Sequence, residues 1–137
     1  MKNSLRSSTS DSGTKMHYIK VEKDFLKKHF KFPIHNGFRQ IKLELKDNRD
    51  YNAVITLSAN ETIYNEQVDT MDKIETLALS GVIYHINIKT YINRRTPGAL
   101  KYDDFEFTQC LPNEDCFPVL HTLVARIGKM AELLNKK

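Results

Sequence analysis

The chain has 137 residues, 40% of them hydrophobic and 28% charged, which excludes a disordered polymer and fits one domain with its own core. No apolar run approaches the length of a membrane span, and the basic start MKNSLRSSTSDSGTK has no apolar segment behind it. An intracellular protein of cytoplasm or nucleus, with no membrane association, is therefore expected. The formal charge of +4 is unevenly spread: residues 1–31 contribute +5, residues 32–112 contribute −2 and residues 113–137 contribute +1.

Residues 1–15 are Ser-rich, with Leu5 their one large apolar residue besides Met1, and read as a disordered basic tail. A single α+β domain is expected over 16–137. MHYIKVEKDFLKKHFKF (16–32) begins extended and continues as a short amphipathic segment with Phe25, Leu26 and Phe30 on one side, ended by Pro33.

FRQIKLELKD (38–47) has the period of a sheet with one wet face, with Ile41, Leu43 and Leu45 opposed to Lys42, Glu44 and Lys46. DNRD forms a turn on Asx hydrogen bonds, and YNAVITLSAN (51–60) returns as a second strand. ETIYNEQVD reads as a weaker third strand. DKIETLALSG (72–81) fits a short helix or a strand equally, through Ile74, Leu77 and Leu79.

VIYHINIKTYINRRTPG (82–98) is the most regular alternation in the chain. Val82, Tyr84, Ile86, Ile88 and Ile92 are expected on one face, and His85, Asn87, Lys89 and Tyr91 on the other. Pro97–Gly98 is in type II turn order, and KYDDFEFTQC (101–110) is the hairpin partner. From Pro112 the period changes. Asn113 or Asp115 can cap a helix whose first turn tolerates Pro118, and Leu120, Leu123, Val124, Ile127, Met130 and Leu134 make one stripe. Gly128 costs this helix about 1 kcal/mol relative to alanine, so a close approach or strong packing is expected there. The fold class is a β-rich α+β domain with a C-terminal amphipathic helix. Its antiparallel sheet is either a five-stranded OB-type barrel or open and packed by one or two helices.

Signs of chemistry are sparse. Cys110 and Cys116 flank LPNED with no second pair, so two free thiols and no metal site are expected. His17, His29, His35, His85 and His121 lack ligand spacing and read as surface or rim residues. Asp103 and Asp104 are adjacent on a strand and point apart. There is no phosphate loop, nucleophile elbow or HExxH motif. The chain reads as a non-enzyme without a cofactor.

A binding role remains. Lys89, Arg94, Arg95 and Lys101 fall in a stretch without an acid, Tyr91 shares the face of Lys89, and the first long strand adds Arg39 and Lys42. Basic side chains mixed with aromatics on a sheet suit single-stranded nucleic acid, where charge follows the backbone and rings stack on bases. The order of elements (a meander, SGVIYHINI, KYDDFEFTQC, a PNED loop and the helix VLHTLVARIGKM) resembles the OB-fold small subunits of replication protein A and related telomere-capping complexes. Ser80-Gly81-Val82-Ile83 and Asn113-Glu114-Asp115 occupy the comparable places over roughly residues 38–134. The first strand lacks the usual glycine, and SANET replaces the usual glycine-rich turn. The resemblance implies a DNA-binding subunit of a nuclear complex whose helix bundles with sister subunits through Leu120, Leu123, Ile127, Met130 and Leu134. The alternative is a protein–protein interaction module (adaptor, inhibitor or immunity-type protein). It would use the acidic segment 61–75, with Glu61, Glu66, Asp69, Asp72 and Glu75, to dock a basic partner.

Overall fold

The computed structural model describes residues 20–46, 48, 50–92 and 104–135; the expected tail over 1–15 lies outside them. A single helical turn, α1 (Phe25–His29), leads into the two-residue strand β1 (Phe30–Lys31), then β2 (Phe38–Leu45) and β3 (Tyr51–Ile63). Helix α2 (Met71–Leu79) separates these from β4 (Ile83–Ile92) and β5 (Glu106–Cys110), and α3 (Phe117–Asn135) closes the domain. The five strands form one antiparallel sheet in the order β1-β2-β3-β4-β5. The sheet is open, with β1 and β5 as its edges. Of the two architectures expected from sequence, this is the open sheet packed by helices.

Alternation decides the two faces. Ile41 and Leu43 of β2, Ile55 and Leu57 of β3, and Ile86 and Ile88 of β4 are almost wholly buried on the inner face. Over them lie Ile74 and Ala78 of α2 and Leu120, Val124 and Ile127 of α3, all in the same core. Burying a side chain of this size is worth about 1.5–3 kcal/mol, which makes this layer the main stabilising term. Leu26 and Phe30 join the core as the sequence pattern implies.

Two sequence expectations change and one open reading is resolved. The second and weaker third strands are one strand as far as Ile63, after which residues Asn65–Gln67 make a 3-10 turn. The ambiguous segment is helical because the Thr70 hydroxyl accepts from the Lys73 amide (3.1 Å), capping a turn that buries Met71, Ile74 and Ala78. On β4 the register shifts between Ser58 and Ala59 of its partner, so Ile83 is buried and Tyr84 half-exposed, not facing inward with Ile86.

The turn before β3 is built on Asn48. Its Oδ1 accepts from the amides of Asp50 (3.1 Å) and Tyr51 (3.0 Å), and its Nδ2 donates to the Ala131 carbonyl of α3 (3.1 Å). One side chain thus shapes the β2–β3 connection and ties it to the helix layer.

Candidate interaction surface

The outer face of β2–β5 carries no described helix. Its positions form cross-strand rows: Gln40–Ser58–His85–Cys110, Lys42–Thr56–Asn87–Thr108 and Glu44–Val54–Lys89–Glu106, with Asn52–Tyr91 beyond them. Arg39, Lys42, Lys89 and Tyr91 are all exposed. Arg94, Arg95 and Lys101 lie outside the described residues.

Among the described residues the basic side chains of this face are partly offset by acids. The sequence around Lys89 has no acid, but the sheet brings one from another strand, because Glu106 is the cross-strand partner of Lys89. Glu44 stands in the same row, across Val54. Asn87 Nδ2 donates to Glu106 (2.9 Å) and to Thr108 Oγ1 (2.8 Å), which fixes the centre of the face as a flat polar surface. Tyr91 does share this face, and its hydroxyl accepts from Asn52 Nδ2 at 2.6 Å. The middle row, Lys42–Thr56–Asn87–Thr108, offers no ring for stacking.

The C-terminal stripe is inside. Leu120, Ile127, Met130 and Leu134 are buried in the core and Leu123 is partly buried against it. The domain's own sheet covers the stripe that the resemblance assigned to sister subunits, because an uncovered apolar sheet face is the nearest surface for it. The exposed apolar residues of α3 are Val119 and Leu133.

Much of the acidic segment is likewise engaged within the domain. Asp69 pairs with Lys73 (2.9 Å), Asp72 lies 3.8 Å from Lys20, and Glu66 accepts from Asn36 Nδ2 (2.9 Å). The hydrogen bond from Asn36 is the main reason the Glu66 carboxyl titrates below its usual range. Glu61 remains exposed.

Glu75 meets a residue that the sequence placed at the rim. His121 is 1% exposed, and its Nε2 lies 2.5 Å from Glu75 Oε2. The Val21 amide donates to His121 Nδ1 (3.2 Å), so the ring proton sits on Nε2 and points at Glu75. Donor atoms of Asp72, Glu75 and His121 lie within 4.8 Å of one another. A divalent ion there would need the Nε2 lone pair, and this tautomer has a proton in its place. Asp72 is exposed beside Lys20, so the clasp joining α2, α3 and the entering chain is made by His121, Glu75 and Val21. Nothing local in the sequence marks His121, since its partners are 46 and 100 residues away. Cys116 is buried, which raises its thiol above the ordinary value, and Cys110 is exposed opposite His85; both are free.

The sequence also missed a corner. Ile34 is 96% exposed, Phe38 39% and Tyr64 46%. Asn36 Oδ1 accepts from the Asn65 amide (2.6 Å), and Asn65 Nδ2 donates to the Pro33 carbonyl (2.9 Å), so the 33–37 loop is tied to the end of β3. Gly37 has φ +94°, and a Cβ there would stand 3.0 Å from the Tyr64 ring. The apolar side chains are thus presented from a fixed backbone.

No family model, curated protein or solved structure matches the chain.

Proposed function

We propose that the protein is a non-enzymatic interaction module that binds another protein. The observation that carries this reading is the corner of Ile34, Phe38 and Tyr64, where large apolar side chains stand exposed on a loop held by side-chain hydrogen bonds. Exposed apolar groups on a fixed backbone suit a protein partner, which gains from burying them. Glu44 and Glu106 on the described sheet face weaken its attraction for a polyanion.

A second reading, single-stranded nucleic acid bound within a multiprotein complex, keeps support from the uncovered sheet face with exposed Arg39, Lys42, Lys89 and Tyr91. The order of elements resembling OB-fold subunits supports it too, although the open sheet departs from a barrel. Arg94, Arg95 and Lys101 belong to the same acid-free basic stretch of sequence as Lys89.

Co-purification at moderate salt, with and without nuclease, separates the two. A protein partner retained after nuclease, and lost on Ile34→Ser with Phe38→Ser, is the expected result. A labelled oligonucleotide bound with a steep salt dependence, and weakened by Arg94→Ala with Arg95→Ala, would instead establish the second reading.

A further inference from the structure

Asn36–Gly37 is a pair that the fold requires and that its own chemistry makes labile. Gly37 has φ +94°, and an added Cβ would lie 3.0 Å from Tyr64 Cε1 and 3.5 Å from Thr62 Cγ2, so a side chain there meets both strain and a ring. Asn36 is used at both ends of its amide. Its Oδ1 accepts from the Asn65 amide (2.6 Å), and its Nδ2 donates to Glu66 Oε1 (2.9 Å). An asparagine followed by glycine is also the pair in which a side-chain amide is most open to attack by the next backbone nitrogen, because glycine has no Cβ to shield it.

The surroundings favour that attack. Asn36 is exposed to water, and no described group accepts from the Gly37 amide. As the Gly37 nitrogen adds to Asn36 Cγ, negative charge develops on Oδ1, where the Asn65 amide already donates. A backbone donor in place at a developing oxyanion lowers the barrier to such an addition. The steps balance with water as the one co-reactant. The Gly37 amide gives up its proton and bonds to Cγ, the Cγ–Nδ2 bond breaks, and ammonia leaves with that proton. Water then opens the cyclic imide, giving aspartate when it attacks Cγ and isoaspartate when it attacks the backbone carbonyl carbon.

We propose that Asn36 is a site of self-modification, converting through a cyclic imide with Gly37 to aspartate or isoaspartate in the folded protein and so releasing the 33–37 loop from the end of β3. In aspartate a carboxylate oxygen replaces the Nδ2 donor beside Glu66, and like charges at that distance repel. Isoaspartate instead routes the main chain through Cγ, and the added methylene moves the backbone that carries Ile34 and Phe38. Of the side-chain ties described above, the bond from Asn65 Nδ2 to the Pro33 carbonyl is then left. The consequence, a corner that loses its fixed backbone and its partner as the protein ages, rests on the reading of the protein as a protein-binding module.

The test holds the full chain, folded, in mildly alkaline buffer made with heavy-oxygen water and follows it by peptide mapping. Oxygen label should accumulate at residue 36 with release of ammonia. Asn36→Gln, whose larger imide ring closes more slowly, should stay unlabelled there. In the isoaspartate form the Asn65 amide loses its acceptor, so its hydrogen exchange should quicken about tenfold. In Asn36→Asp the Glu66 carboxyl should titrate higher, towards its ordinary range, because the hydrogen bond from Asn36 is the main cause of its lowering. Label that appears only in chain unfolded by urea, or unchanged Asn65 exchange in the converted protein, would overturn the proposal. A nuclease-resistant partner retained in full by the converted protein would overturn the link to the corner, with the modification site and the module reading left standing. Conversion at Asn36 in a chain that recovers only nucleic acid would overturn the module reading instead.

Discussion

The ring of Phe25 lies directly on Gly128: a Cβ built at Gly128 would stand 2.5 Å from Phe25 Cζ. The glycine in the middle of α3 is where α1 meets the long helix. Gly128→Ala gains about 1 kcal/mol of helix propensity but must push out a ring that packs against the core, so a net loss of about 1–2 kcal/mol in chemical denaturation is expected. In a Phe25→Ala background the same change should stabilise by about 1 kcal/mol, and a loss of similar size in both backgrounds would show that the ring is not the obstacle.

Asn48 makes three hydrogen bonds from one side chain. Asn48→Ala should cost about 1–3 kcal/mol, because the amides of the turn and the Ala131 carbonyl lose a partner together. Asn48→Asp keeps the acceptor and loses the donor, so its urea midpoint should fall between the two. Equal midpoints for the two variants would locate the whole effect in the tie to α3.

The clasp of His121, Glu75 and Val21 should behave as structure. His121→Ala leaves the Glu75 carboxylate without its buried donor and should cost about 2–4 kcal/mol. Zinc added to the native chain should leave its melting temperature unchanged, since Nε2 carries the proton that a metal would have to replace. A rise that saturates with zinc and disappears in Glu75→Gln would overturn the tautomer.

His29 gives a pH dependence of known sign. Partial burial first, then the neighbouring Lys28 and Lys46, lower its pKa from 6.5, outweighing the opposing pull of Glu132 and Asp24. Below that value the unfolded chain binds the proton more readily than the folded one. The contribution of His29 to stability is therefore complete above about pH 6.5 and is lost as pH falls toward the depressed folded value. Melting curves between pH 7.5 and pH 5 (about the range in which histidine titrates) should show a shallow decline that His29→Gln reduces. A steeper decline in His29→Gln would contradict the direction.

The sequence alone placed β2 and the long helix and the apolar side of each, because period two in FRQIKLELKD and period three to four from Leu120 to Leu134 are local properties. It also marked Gly128 as a place of close approach, without naming Phe25. The register along the strands, the openness of the sheet and the burial of His121 were decided by tertiary structure. Lys89 carries no nearby acid in the chain and yet stands opposite Glu106, since a ladder brings together residues that sequence keeps apart. The stripe on α3 could have faced a partner or the sheet, and its pattern is the same in both cases; only the uncovered inner face of β2–β4 settles it.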